Sequence, residues 1–123
     1  MGGFRDLVVW QKGRVYRNEC ASLARKSFPQ EEKYRLTDQL IRSSRSVTAQ
    51  IAEGHGRFHH QENIQSCRVA RGEVSETIDH LTVALDEKYI NETEFNRMVE
   101  LAEELVRLLN GYIRHLKSQL DKK

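Results

Sequence analysis

Three histidines, His55, His59 and His60, fall within one short segment, GHGRFHH, and imidazole is the side chain most often found on a metal. Zinc would require three or four ligands in tetrahedral array, and neither Cys20 nor Cys67 lies near the histidines in sequence. The segment therefore reads as a solvated turn, and no metal is assigned. Gly54-His55-Gly56 follows no strand and does not match the glycine patterns that cradle phosphate. A carboxylate di-iron bundle would need Glu-x-x-His pairs on two helices; Glu76 and His80 stand four apart and face away from the apolar stripe. Ser43, Ser44 and Ser46 have no histidine beside them in sequence, and small residues at a helix crossing explain them without a nucleophile. No catalytic constellation is assembled, so the chain is read as a non-enzyme with no cofactor and no evident small-molecule substrate.

The basic residues carry more. Arg35, Arg42 and Arg45 point to the outer face of a second helix, Arg57 lies in the loop after it, and Arg68 and Arg71 occupy the first turns of a third. Such a set around one end and side of a helical hairpin suits phosphate contact. A normal solvated face is the competing reading, because Asp38 and Glu53 interleave with the arginines and Arg71 could pair with Glu53. No aromatic stacking platform accompanies the set in the sequence. The formal charge of +2 conceals an asymmetry: residues 1–61 carry 11 basic and 6 acidic side chains, residues 62–123 carry 9 and 12. The complementary halves could steer each other together, or leave one face basic enough to attract a polyanion. Arginine outnumbers lysine 13 to 7, which favours bidentate contacts.

These side chains need elements to position them, and the pattern supplies four helices. At 123 residues the chain fits one domain that buries roughly two-thirds of its unfolded surface. Apolar residues make up 38% and charged residues 31%, a balance suited to helices with one apolar stripe. The opening MGGFRDLVVW has an apolar run of only four residues, so it reads neither as a signal peptide nor as a membrane span. The expected location is cytoplasmic. Cys20 and Cys67 both fall inside helices and read as buried structural thiols rather than as a disulfide.

The first helix is expected over about 4–26, with Gly13 weakening it. Phe28-Pro29 breaks it, since the residue before proline avoids α geometry and proline presets the next helix. The second helix covers about 30–53, with Leu36, Leu40, Ser44, Val47 and Ile51 on one face. Gly54 is placed to stop it as a left-handed C′ residue. The third covers about 60–88, and mid-helix Gly72 suggests a close crossing.

The fourth helix, about 92–120, has the clearest start. Asn91 and Glu94 make a capping box, with Ile90 and Phe95 set as a hydrophobic staple. Phe95, Met98, Ala102, Leu105, Leu109, Tyr112 and Leu116 then keep coiled-coil spacing, and Val99, Val106, Ile113 and Leu120 form a second line. This is more apolar width than one bundle face needs. Either the helix lies centrally among its neighbours, or part of it is a subunit interface. Short connections favour an all-α, up-down-up-down antiparallel four-helix bundle as a single domain over 1–123. The closing Asp121-Lys122-Lys123 is expected to fray.

Several segments resemble one family. Phe4 to Gln11 (FRDLVVWQ), Phe28 to Arg42 (FPQEEKYRLTDQLIR), Ile51 to Arg57 (IAEGHGR) and Val69 to Leu81 (VARGEVSETIDHL) are similar in order and spacing to bacterial four-helix-bundle proteins encoded within intervening sequences of 23S ribosomal RNA genes. That family usually has asparagine where this chain has Gln50, and Gly-Ser where it has Gly72-Glu73; Glu73 sets a negative charge near the arginines. The resemblance implies an up-and-down bundle assembled as a ring, a pentamer, and kinship with accessory proteins of diversity-generating retroelements, which bind a reverse transcriptase and RNA through a basic surface. It implies no reaction. The expectation is a homo-oligomeric protein that contacts RNA or a nucleoprotein through its arginines, with a protein-binding scaffold free of nucleic acid as the alternative.

Overall fold

The computed structural model describes residues 2–121; Lys122 and Lys123, expected to fray, lie outside the described residues. Four helices, α1 (Val8–Ser27), α2 (Leu36–Gly56), α3 (His60–Asp86) and α4 (Glu92–Asp121), follow one another through short connections. α1 packs on α2 and α4, and α3 packs on α2 and α4, while the diagonal pairs make no close backbone approach among the described residues. The result is the expected antiparallel four-helix bundle. α4 is a corner helix with two neighbours, not a central one. Along the axis, Tyr16, Leu40, Val47, Ile51, Ile64, Cys67, Val74, Leu81, Met98, Leu105 and Leu109 are all but fully buried.

The helix ends show which local signals held and which moved. Phe4–Asp6 forms a separate 3₁₀ turn rather than the start of α1, because Leu7 is extended. That turn is fastened by Gln11 Nε2, which donates to Arg5 O at 2.9 Å, and by Phe4, whose ring meets Trp10 edge-on at 5.2 Å. Pro29 begins only a 3₁₀ turn over Gln30–Glu32, and α2 starts at Leu36, later than expected. Glu32 holds this break: its Oε1 accepts from the Leu36 amide at 3.3 Å and its Oε2 from the Tyr89 hydroxyl at 2.8 Å. At α4 the capping box forms in full, Glu94 N donating to Asn91 Oδ1 at 2.8 Å and Asn91 N to Glu94 Oε1 at 3.1 Å.

The glycines change roles. Gly54 does not stop α2; it is a buried helical residue at which an added Cβ would lie 2.7 Å from Ser66 Cβ and 2.8 Å from Asn63 Oδ1. It is a point of close approach between α2 and α3. The residue that ends α2 in the left-handed region is Phe58, at φ 58°. Lys88, at φ 66°, ends α3 in the same way, with Tyr89 N bonding to Ala84 O and Lys88 N to Leu85 O in a Schellman pattern. Gly72 faces open space, so no close crossing accounts for it, whereas Gly13 is the true contact glycine of α1, with Thr48 Cγ2 2.9 Å from a built Cβ.

Small polar residues line the same seams. Ser43 Oγ and Thr77 Oγ1 share a 2.8 Å hydrogen bond between α2 and α3. Ser43 and Ser44 are both buried, in keeping with small residues at helix crossings. Cys20 and Cys67 are free and buried as expected, and desolvation pushes their thiols up to about 12 and about 11. Among the described residues only the Tyr16 hydroxyl is a buried side-chain group without a hydrogen-bond partner; Cys20 lies beside it outside bonding geometry, and burial drives the phenol well above its usual range. No helix of the described residues is long and apolar enough to cross a membrane.

Candidate nucleic-acid interface

The six arginines singled out in the sequence do not form one patch. Arg35 precedes α2 and is exposed. Arg42 is exposed and leans on Asp38 at 3.7 Å, while Arg57 is clasped by Glu53 at 3.1 Å and Glu62 at 3.9 Å. Arg71 does not pair with Glu53: its Nη1 donates to Asn110 Oδ1 of α4 at 2.7 Å, and the side chain is half-buried there. Arg68, one turn earlier on α3, shares that flank and is exposed. The hollow between α2 and α3 holds Arg42 and Arg45 but also Glu73, Glu76 and His80. His80 Nε2 stands 3.2 Å from Glu76 Oε2, and burial, then Glu76, raises the Glu73 carboxyl. That face is of mixed sign.

Arg45 also borders a second region. It lines two adjoining hollows of ≈ 430 and ≈ 540 Å³ in the seam between α1 and α2, which also share Asn18. The first is lined by Trp10, Arg17 and Thr48, the second by Ser22, Arg25 and Lys26. Neither is lined by a carboxylate. Arg17 is held in place: its Nη1 donates to Thr48 Oγ1 at 2.7 Å and its guanidinium lies 5.6 Å from the Trp10 ring centroid. Arg14 lies 5.9 Å from the same ring. Two guanidinium groups near one indole ring are each favoured by the ring quadrupole. Neither forms an ion pair with a carboxylate of the described residues.

The close approach of Gly13 to Thr48 builds this seam. With no Cβ on α1 there, α2 comes near enough for Arg17 to reach the Thr48 hydroxyl. Asn18, Ala21 and Ser22 continue the seam with small or neutral side chains, so Arg25, Lys26 and Arg45 border a shallow, uncrowded channel. Such a channel offers cations to a run of phosphates and few donors with competing partners.

Toward the opposite end of α1 from Arg25, the connection between α2 and α3 forms a fourth hollow of ≈ 320 Å³. His55, His59, His60 and His115 line it together with Phe58 and Tyr112. The fourth histidine comes from the far end of the sequence. Among the described residues, no group of three His, Cys, Asp or Glu side chains is placed to hold a metal ion.

The family model of the 23S rRNA-intervening sequence protein matches residues 5–111. The chain belongs to that family. A crystal structure of a protein of unknown function from the S23 ribosomal protein family of Bacteroides thetaiotaomicron is similar to this chain, with a TM-score of 0.78, 22% identity, and coverage of 86% of this chain and 98% of that one. At that identity the likeness shows the fold. Comparison with curated protein sequences found no match.

Within this family member the sequence pattern pointed to Arg45 but not to its companions Arg14, Arg17, Arg25 and Lys26. The available signal was the run Arg14, Asn18, Ala21, Arg25, whose steps of four, three and four put small and basic side chains on one side of α1. What no sequence pattern supplied was that this side faces Arg45 across α2.

Proposed function

We propose that this family member is a non-enzymatic, oligomeric binding protein that contacts RNA or a nucleoprotein through basic side chains, centred on the seam between α1 and α2. The observation that carries this reading is the gathering of Arg17, Arg25, Lys26 and Arg45 around hollows with no carboxylate in their lining. Arg17 is already ordered by Thr48 and Trp10, so less rotamer freedom is lost when it meets a phosphate. Arg42 lies on the neighbouring face of mixed sign, beside Asp38, and Arg35 is exposed just ahead of α2. Arg57, Arg68 and Arg71 are peripheral to it, Arg57 and Arg71 being engaged within the protomer.

Assembly is supported by apolar residues that the bundle leaves outside. Val8 and Val15 are 58% and 48% exposed and stand seven residues apart on one face of α1. α4 adds Leu101 and Leu108, only partly buried. A homo-oligomer, a pentameric ring by family resemblance, covers such positions. Light scattering at micromolar protein should report a multiple of the protomer mass; a monomer contradicts this part of the reading.

The binding test is retention of RNA on the immobilised protein at rising salt. Retention should fall steeply with salt and be lost in the Arg42→Glu, Arg45→Glu double variant. Retention no better than that of an acidic protein of similar size refutes the reading. The alternative, a scaffold that binds only protein, is favoured by the same exposed valines and predicts one protein partner recovered after nuclease treatment.

A further inference from the structure

The connection between α2 and α3 carries a feature that the fold does not need. Phe58 occupies the left-handed C′ position, at φ 58°, where glycine is the usual residue. An aromatic side chain in that conformation is strained. Yet its ring is 85% exposed, so it covers almost no protein surface in return. Strain held at an exposed aromatic points to a role outside the fold.

Around it lies the ≈ 320 Å³ hollow, at the small end of the roughly 300–1,000 Å³ range of ligand pockets. Its walls are rings. His55 stands with its centroid 6.3 Å from that of Phe58, and His59, His60, His115 and Tyr112 complete the wall. Flat rings with nitrogen and hydroxyl edges offer both stacking faces and hydrogen-bond partners for a planar heterocycle. Apolar Leu7 and Leu116 also line the hollow.

The hollow continues the cationic seam. Ala52 lines the upper part of the α1–α2 channel and His55 lines the ring-walled hollow; they are three residues apart on α2, less than one helical turn. Phe4 and Leu7, at the two ends of the N-terminal turn, span the same step from the other side. A chain whose phosphates follow Arg25, Arg45 and Arg17 therefore arrives at the rings.

We infer that the Phe58 loop and its histidine-lined hollow form a pocket for an unpaired nucleobase of a single-stranded RNA segment whose backbone lies in the α1–α2 channel. The inference rests on the RNA-binding reading above and adds to it a preference for unpaired over duplex RNA. The arginines supply attraction to any phosphate chain, and Phe58 supplies stacking, which a base inside a duplex cannot accept.

The test uses the full chain and two RNA probes of about 12 nucleotides, one single-stranded with a fluorescent adenine analogue and one fully paired. Phe58→Gly relieves the backbone strain while removing the ring, so its melting temperature should be equal to or above that of the parent. Its affinity for the single strand should fall roughly 5- to 100-fold, with the slope of affinity against salt unchanged and duplex binding unaltered. Phe58→Tyr should keep affinity near the parent value, and fluorescence quenching of the analogue should occur with the parent and Phe58→Tyr but not with Phe58→Gly. Equal affinity of Phe58→Gly and parent for the single strand overturns the pocket while leaving the arginine channel standing. A change of assembly state on Phe58→Gly with RNA affinity unaltered assigns the loop to a second copy of the chain, and equally overturns it. If the parent binds neither probe, the RNA-binding reading fails first and the pocket falls with it.

Discussion

Along its α4 side, α1 closes charge on charge: Lys12 meets Glu104 at 3.2 Å and Glu19 accepts from Arg97 at 2.7 Å. Along its α2 side the same helix presents Arg14, Arg17, Arg25 and Lys26, and none of them forms an ion pair with a carboxylate of the described residues. There the joint is made by Gly13 against Thr48 and by small residues. One side satisfies its cations within the protomer; the other leaves them toward solvent. Net charge alone, +2 for the whole chain, hides this division, because binding depends on where unpaired charge collects and not on its sum.

The comparison can be broken first at the contact glycines. Gly54→Ala forces a Cβ to within 2.7 Å of Ser66 Cβ, a position no rotamer change can relieve, and should cost about 3 kcal/mol in urea unfolding. Gly72→Ala meets nothing within 4 Å and should instead stabilise by about 1 kcal/mol through helix propensity. Equal effects of the two would show that the α2–α3 contact at Gly54 is not tightly packed.

A pH-dependent effect comes from alkali. The Cys20 and Cys67 thiols titrate from an ordinary value of 9.0 in the unfolded chain to about 12 and about 11 in the fold. Above the unfolded value the unfolded chain gives up these protons first, so the fold loses stability as pH rises. The loss approaches about 1.4 kcal/mol per pH unit for each thiol until the folded value is reached. Urea midpoints should fall from about pH 9 upward, and Cys67→Ala should flatten the decline relative to its own value at neutral pH.

The smallest effect belongs to the ion-paired side. A double-mutant cycle on Glu19 and Arg97, both well exposed to solvent, should give a coupling below about 1 kcal/mol that shrinks with salt. A coupling several times larger would mean that α1 is fixed chiefly by its α4 side.

Much of this was legible in the sequence, for identifiable reasons. The capping box of Asn91 and Glu94 and the heptad line of α4 depend only on neighbours along the chain, and both appear as read. Gly54 and Gly72 were misread because a helical glycine is explained by what lies on the adjacent helix: Ser66 and Asn63 crowd one, and nothing approaches the other. Arg71 was placed with Glu53 by proximity on a presumed hairpin, but its side of α3 turns to Asn110 on α4. The channel itself required the pairing of α1 with α2, which brings Arg25 and Lys26 beside Arg45. No single-helix pattern contains that fact.

The most direct measurement sets the two flanks against each other: RNA affinity of the full chain as a function of salt, for the parent, for Arg25→Glu with Arg45→Glu, and for Arg68→Glu with Arg107→Glu. About four phosphates neutralised in the α1–α2 channel should give the parent a log–log slope near −3, and reversing Arg25 and Arg45 should flatten it by about 1 or more and weaken binding at least tenfold. Reversing Arg68 and Arg107, both exposed but away from the channel, should change the slope by less than about half as much. Equal losses from both pairs would show that RNA responds only to overall charge, and would contradict an interface localised between α1 and α2.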